Sequence, residues 1–172
     1  MSKLFKCLLI LVAVIGTTLG FSLVTSESRQ EYCPFCDQSV LDYQKFYEDD
    51  LVVALCTHRP VFAGHCLIIP KRHIERFEFL TDEEMVQIAN VIKKVNRAVE
   101  TVFGTSSYLI LQKNGKEVGQ QVPHIHFHYI PRKSGDDSTI KFYYRMYLST
   151  LGSPMDPSEM YDIVEKLKSV IE

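Results

Sequence analysis

An excess of positive charge is missing from this chain: 19 Lys and Arg stand against 21 Asp and Glu, for a formal net charge of −2. No basic face for a polyanion is expected, so nucleic acid is set aside as a partner, whereas a small ligand with a few phosphates is not. Internal repeats and low-complexity tracts are also missing, which sets aside a repeat architecture. Charged residues at 23%, hydrophobic residues at 46% and a mean hydropathy near zero fit neither a disordered chain nor a multi-span membrane protein. With 172 residues there is enough chain for one ordinary core and hardly for two.

One long apolar run is present. Leu8 to Val24 carries no charge, holds Gly16 and Gly20, and follows Lys3 and Lys6. Lacking a polar face, it reads as a signal-peptide core or short membrane anchor within residues 1–26, in preference to a buried helix. The lysines ahead of it favour a cytoplasmic N-terminus with the rest of the chain crossing. A membrane-anchored or exported protein is therefore expected, with residues 4–24 making the membrane association; a cytoplasmic protein is the alternative. Small residues near Gly20 and Ser26 offer cleavage positions without an A-x-A pattern, and Cys7 lies before the run, so no lipobox follows it.

The rest, residues 31–172, is the size of one domain. Phe46-Tyr47 followed by Glu48-Asp49-Asp50 reads as a strand end and a turn. Leu51 to Cys56 and His65 to Ile69 read as strands joined by a loop through Arg59-Pro60 and Ala63-Gly64. Pro70 is expected to close the second of these. Thr81-Asp82-Glu83-Glu84 is a capping box. The helix it opens carries Met85, Ile88, Val91, Ile92, Val95, Val99 and Val102 at three- and four-residue steps, and ends near Phe103-Gly104. Tyr108 to Gln112 and His124 to Ile130 read as two more strands, the latter stopped by Pro131, with a turn at Asn114-Gly115. A last amphipathic helix begins at Pro157. Hairpin-like strands around a long helix make the fold α+β.

Three of the six histidines fall in His124-Ile125-His126-Phe127-His128. Strand alternation places all three imidazoles on one face, about 6.6 Å apart, while Ile125, Phe127 and Tyr129 enter the core. A central histidine could then be flanked by two that orient it or meet a ligand. A bare H-x-H-x-H also fits a metal clamp, since neutral imidazole is a common zinc ligand.

The surrounding motifs decide between these. Asn114-Gly115-Lys116-Glu117-Val118-Gly119-Gln120-Gln121-Val122-Pro123 leads into the histidines, and Tyr129-Ile130-Pro131-Arg132 follows them. Upstream stands Gly64-His65-Cys66-Leu67-Ile68-Ile69-Pro70-Lys71-Arg72-His73-Ile74. Together they closely resemble the histidine triad (HIT) superfamily of nucleotide hydrolases and transferases, in its zinc-bearing, bacterial-type subgroup, from about Tyr32 to Arg132. The resemblance implies an antiparallel sheet of about five strands with one long helix and a C-terminal helix, in a homodimer. It implies a purine-nucleotide substrate, either a nucleoside phosphoramidate or a dinucleoside polyphosphate, attacked at the α-phosphorus by His126. His128 would stabilise phosphoryl oxygens or the leaving group, His65 would hold the constellation, and Gln120 with the amides of 119–122 would line the phosphate.

Some positions depart from the family pattern. Lys113 stands where relatives hold Asn or Gln, with Asn114 one residue later, and either could serve. Thr57 stands where a ribose-binding Asp or Asn is common, and one hydroxyl cannot grip two ribose hydroxyls as a carboxylate can. Gln121 replaces a small hydroxyl residue, so proton donation to the leaving group would pass through water. Phe35 and Leu55, with Thr57, match positions that border base and ribose, although both apolar residues would also suit a core. His58 reads as a solvated loop residue, and Arg132 to Asp137 as a loop. Ile140 to Leu148, rich in tyrosine, reads as a cover for the site or a subunit contact.

Cys33-Pro34-Phe35-Cys36 on its own is divided between zinc, redox and accident. The resemblance implies zinc, with His73 and His124 completing a closed tetrahedral structural site and no catalytic metal. Export would instead allow Cys33 and Cys36 to close as a disulfide. Cys56 and Cys66, on strands, read as buried thiols. Two other functions remain alongside the hydrolase: a nucleotide-binding module without turnover, and a metalloenzyme using His124, His126 and His128 as its ligands.

Overall fold

The computed structural model describes residues 32–136 and 138–172; the apolar run expected as a leader lies outside them. The described elements belong to the second of two compact units, Cys33–Glu172. Among the described residues, no helix is long and apolar enough to cross a membrane.

After a 3-10 turn at Pro34–Cys36 comes helix α1 (Gln38–Gln44), which starts where the Asp37 side chain accepts from the Ser39 amide. Strands β1 (Lys45–Glu48), β2 (Val52–Cys56) and β3 (Cys66–Pro70) follow, then helix α2 (Asp82–Phe103) and strands β4 (Ser107–Gln112) and β5 (Phe127–Arg132). Helices α3 (Thr139–Ser149) and α4 (Pro157–Lys168) complete the chain. The five strands form one antiparallel sheet in the order β1-β2-β3-β5-β4, so the α+β class holds. The turn between β1 and β2 is held by the Asp49 carboxylate, which accepts from the amides of Leu51 and Val52, 2.9 Å each.

Strand alternation gives the sheet two different faces. Val52, Ala54, Cys56, Cys66, Ile68, Phe127 and Tyr129 turn toward α2 and α4 and meet Ile88, Val91, Val95, Val99, Met160 and Leu167 in the main core. The intervening residues turn the other way. Of these, Val53, Leu55, Leu67 and Ile69 pack under Phe35 and Leu41, so the Cys-x-x-Cys turn and α1 cover only part of this second face. The uncovered remainder carries the histidines.

The long helix begins as the sequence predicts. Thr81 Oγ1 accepts from the Glu84 amide at 3.1 Å, and Glu84 Oε2 accepts from the Thr81 amide at 2.9 Å. Arg72 grips the same carboxylate at 3.0 and 2.8 Å, tying the end of β3 to the helix start. Thr81→Ala is expected to destabilise the domain by about 1 kcal/mol in denaturant unfolding, with no effect on substrate KM.

Two boundaries differ from expectation by more than one residue. The fifth strand begins at Phe127 and not at His124, because the Ile125 amide turns aside to the Ile74 carbonyl at 2.6 Å. It also runs past Pro131 to Arg132: β3 pairs with β5 only as far as Tyr129, so β5 has a free side where the proline sits. Two helices, α1 and α3, arise where the sequence reading placed none.

Candidate active site and metal centre

Residues from two strands and the β2–β3 and β4–β5 loops converge on a cavity of about 450 Å³ on the second face. Thr57 and His65 follow β2 and precede β3, Leu67 lies in β3 and His128 at the start of β5; Lys113, Gly119, Gln121, Val122 and His126 come from the β4–β5 loop. Gly64 makes the approach of His65 possible. Its φ of +84° is a left-handed conformation, and a Cβ there would lie 2.9 Å from the Phe103 ring.

Backbone groups set the protonation pattern of the histidines. His126 Nδ1 lies 2.7 Å from the His124 carbonyl, an acceptor only, so Nδ1 carries the proton and Nε2 keeps its lone pair. The Val61 amide donates to His65 Nδ1 at 3.2 Å, which leaves the proton of neutral His65 on Nε2. That proton points at His128 Nδ1, 3.0 Å away, and so the His128 proton resides on Nε2. One ring therefore presents a lone pair and its neighbour an N–H, with centroids 5.0 Å apart. Phe35 packs edge-on against His126 at 5.3 Å and against His124 at 5.8 Å.

Burial keeps these rings neutral. It pushes His65 down to about 3 and His128 to about 2, the latter helped by His65, His126 and Lys113. His126 is lowered chiefly by burial and then by Lys113, while its bond to the His124 carbonyl pulls the other way. Loss of the free lone pair requires protonation, so the acid midpoint of kcat/KM is expected below 6.5, the ordinary histidine value. A pH–rate profile with its acid midpoint at or above that value would contradict the burial argument.

The second cluster lies beside the first. The ligand atoms of Cys33, Cys36, His73 and His124 all fall within 4.8 Å of one another, so the four residues could hold a metal ion. Cys33 Sγ and Cys36 Sγ stand 3.5 and 3.6 Å from His124 Nδ1, and Cys36 Sγ stands 3.3 Å from His73 Nδ1. A tetrahedral ion with sulfur at ~2.3 Å and nitrogen at ~2.05 Å requires S···N edges of about 3.5 Å. The donors fit that figure. His124 also has the correct tautomer, because its Nε2–H donates to the Pro70 carbonyl at 2.9 Å and leaves Nδ1 to face the sulfurs. Burial and the adjacent Cys33 push the Cys36 thiol up to about 11, a cost that a cation would remove.

With His124 turned to the cysteines and His126 Nδ1 donating to a carbonyl, the three triad imidazoles do not converge on one point, as a three-histidine metal site requires. Other expected residues divide. Phe35, Thr57, Lys113 and Gln121 line the cavity. Leu55 is fully buried against Leu67, Val53 and Ile69 and does not. Gln120 accepts from the Gly115 amide at 2.7 Å and donates to the Glu75 carbonyl at 2.8 Å. Asn114 accepts from the Phe77 amide and donates to Glu78, 2.9 Å each. These two amides tie the β4–β5 loop to residues 75–78 rather than face the cavity.

The sequence reading missed one wall entirely. Val40, Tyr43 and Gln44 of α1 line the cavity, as do Arg59, Ser149 at the end of α3, and Thr150 and Pro154 beyond it; His58, exposed in its loop as expected, borders it as well. Arg59 Nη1 donates to the Thr150 carbonyl at 3.2 Å, and the Met155 amide donates to the His58 carbonyl at 2.8 Å, which fastens the C-terminal segment to the β2–β3 loop. A seven-residue helix and a loop-to-loop contact leave no periodic signature to read.

Comparison with known proteins agrees with this architecture. A family profile described as "HIT domain" matches residues 38–135. The adenosine 5'-monophosphoramidase hnt1 of Schizosaccharomyces pombe is 31% identical over 142 residues, 81% of this chain and 98% of that protein. The bis(5'-nucleosyl)-tetraphosphatase (asymmetrical) of the same yeast is 39% identical over 95 residues, 55% of this chain; the chain spans about half, 52%, of that protein's length. The crystal structure of a Zn-bound histidine triad family protein from Mycobacterium smegmatis superposes with a TM-score of 0.62 at 27% identity, covering 80% of this chain and 91% of that one.

Proposed function

Because this chain belongs to the HIT domain family, we propose that it is a nucleotide hydrolase, cleaving a nucleoside phosphoramidate or a dinucleoside polyphosphate at the α-phosphorus through a nucleotidyl-His126 intermediate. The observation that carries the reading is the 2.7 Å bond from His126 Nδ1 to the His124 carbonyl, which leaves a buried Nε2 lone pair facing the cavity. Two relatives, a phosphoramidase and a tetraphosphatase, bear names for these two reactions.

His126 Nε2 attacks the α-phosphorus and the bond to the leaving group breaks. The ring becomes cationic in the adduct, and the His124 carbonyl stabilises that charge through Nδ1–H. His128 Nε2–H donates to a non-bridging phosphoryl oxygen, and Lys113 adds positive charge at the same cavity. The leaving group takes its proton from water beside Gln121. A second water, giving its proton to the hydroxide left by the first, then attacks phosphorus; the P–Nε2 bond breaks and His126 returns to neutrality. Thr57 offers the ribose a single hydroxyl, a weaker hold than a carboxylate.

Cys33, Cys36, His73 and His124 would hold a zinc ion. When bound it supplies structural restraint: with all four positions taken by protein, no site remains for a reactive water. We also infer a homodimer, with β4 at the sheet edge as its contact, and a leader in residues 1–26 that delivers domain 31–172 to or across a membrane. A topology reporter fused after residue 172 tests the last point.

The test of the function uses the purified protein with an adenosine phosphoramidate and with diadenosine polyphosphates, each with and without chelator. Turnover that resists brief chelation, together with an acid-labile nucleotide adduct on the peptide containing His126, is the expected result. Binding without turnover would favour a nucleotide-binding module, and chelator-sensitive chemistry would favour a catalytic metal.

A further inference from the structure

Behind His65, on the opposite face of the same strands, lies a pair of thiols that the reaction above does not use. Cys56 and Cys66 oppose each other directly in the β2–β3 ladder. The next rung joins Thr57 and His65, with the Thr57 amide donating to the His65 carbonyl at 3.2 Å. Antiparallel rungs alternate between hydrogen-bonded and non-hydrogen-bonded pairs, so Cys56–Cys66 is a non-hydrogen-bonded rung. On such a rung the Cα atoms approach to about 4.5 Å and the side chains stand closest; disulfides span Cα separations of about 4.4–6.8 Å. Both residues are buried, at 2% and 0% exposure, and both are free thiols. The Cys66 thiol donates to the Gly64 carbonyl at 3.1 Å and lies beside that of Cys56.

We propose that Cys56 and Cys66 are a redox modification site, closing into a cross-strand disulfide with a small oxidised disulfide such as glutathione disulfide as the oxidant. A thiolate of the pair attacks one sulfur of glutathione disulfide, releasing one glutathione and leaving a mixed disulfide. The second cysteine thiolate attacks that bond and releases the second glutathione, and the two thiol protons pass to the released thiolates. The protein pair is oxidised and the reagent is reduced by the same two electrons. In the closed core, burial holds the Cys66 thiol well above its ordinary value, so exchange proceeds while β2 and β3 are apart, during folding or opening of the ladder. The link would pin the rung next to Thr57 and His65, the floor of the cavity. It does not depend on the nucleotide reading.

The test refolds the full chain from denaturant in a glutathione/glutathione disulfide buffer, alkylates remaining thiols in denaturant, and maps the non-reduced peptides by mass spectrometry. A peptide linking Cys56 to Cys66 and lighter by two hydrogens is expected in protein with native circular dichroism. It should vanish in Cys56→Ala and persist in Cys33→Ala. Recovery of Cys56 and Cys66 as alkylated thiols in refolded protein would overturn the proposal, as would their linkage to Cys7, Cys33 or Cys36.

Discussion

His126→Ala is expected to lower kcat by about 10⁴-fold or more while leaving the fold in place. Removing the nucleophile removes the covalent route altogether, and what persists is positioning by the cavity. The ring's Nδ1 bonds to the carbonyl of His124, only two residues away, so its loss leaves the sheet register intact. His128→Ala should cost less, about 10²- to 10³-fold, since it deletes one hydrogen bond to a charge that grows during the reaction. Steady-state rates on both substrate classes, with circular dichroism as a control for folding, make the comparison. Retention of more than about a tenth of wild-type kcat by His126→Ala would remove the nucleophile assignment.

Loss of the proposed metal centre is expected to have the second large effect, and it falls on stability. An ion present at about a thousand times its Kd adds about 4 kcal/mol to the folded state. In a domain of this length each kcal/mol moves Tm by roughly 3 °C, so prolonged chelation should lower it by about 10 °C. Cys36→Ser should do the same and bring metal content toward zero. Activity should decline more slowly than metal content, because the ion would act on His126 only through His124. Calorimetry and elemental analysis on the same samples test this; an unchanged Tm after complete metal removal would end the structural-zinc reading. A Cys33–Cys36 disulfide predicts the opposite response, in which reductant rather than chelator lowers Tm.

Much of this could be read from residue order. The capping box at Thr81 and Glu84 and the apolar stripe of α2 are local patterns, and local hydrogen bonds and periodic burial enforce them; His124 and His126, ahead of β5, are held instead by the Pro70 carbonyl and by the His124 carbonyl. The Cys-x-x-Cys with His73 and His124 was legible only by resemblance, because its members lie 37 and 88 or more positions apart. Leu55 shows the reverse limit. Alternation places it on the site's face of the sheet, yet Phe35 and Leu41 happen to cover it. Gln120 and Asn114 were drawn away from the cavity for a related reason: the segment 75–78 lies beside their loop and offers backbone and carboxylate partners that only the folded chain brings within reach.

By itself the sequence determined which chemical groups are present and on which side of each strand they project, since a two-residue period admits no other arrangement. It also determined the α+β class, through one long amphipathic helix set among short strands. Only the tertiary structure decided which ring presents a lone pair and which a proton. Those choices belong to the Val61 amide and the His124 and Pro70 carbonyls, backbone groups common to every residue type and therefore silent in a sequence. The far wall of the cavity was decided in the same way, by a contact between Arg59 and Thr150 that spans 91 positions and comes into being only when the chain has folded.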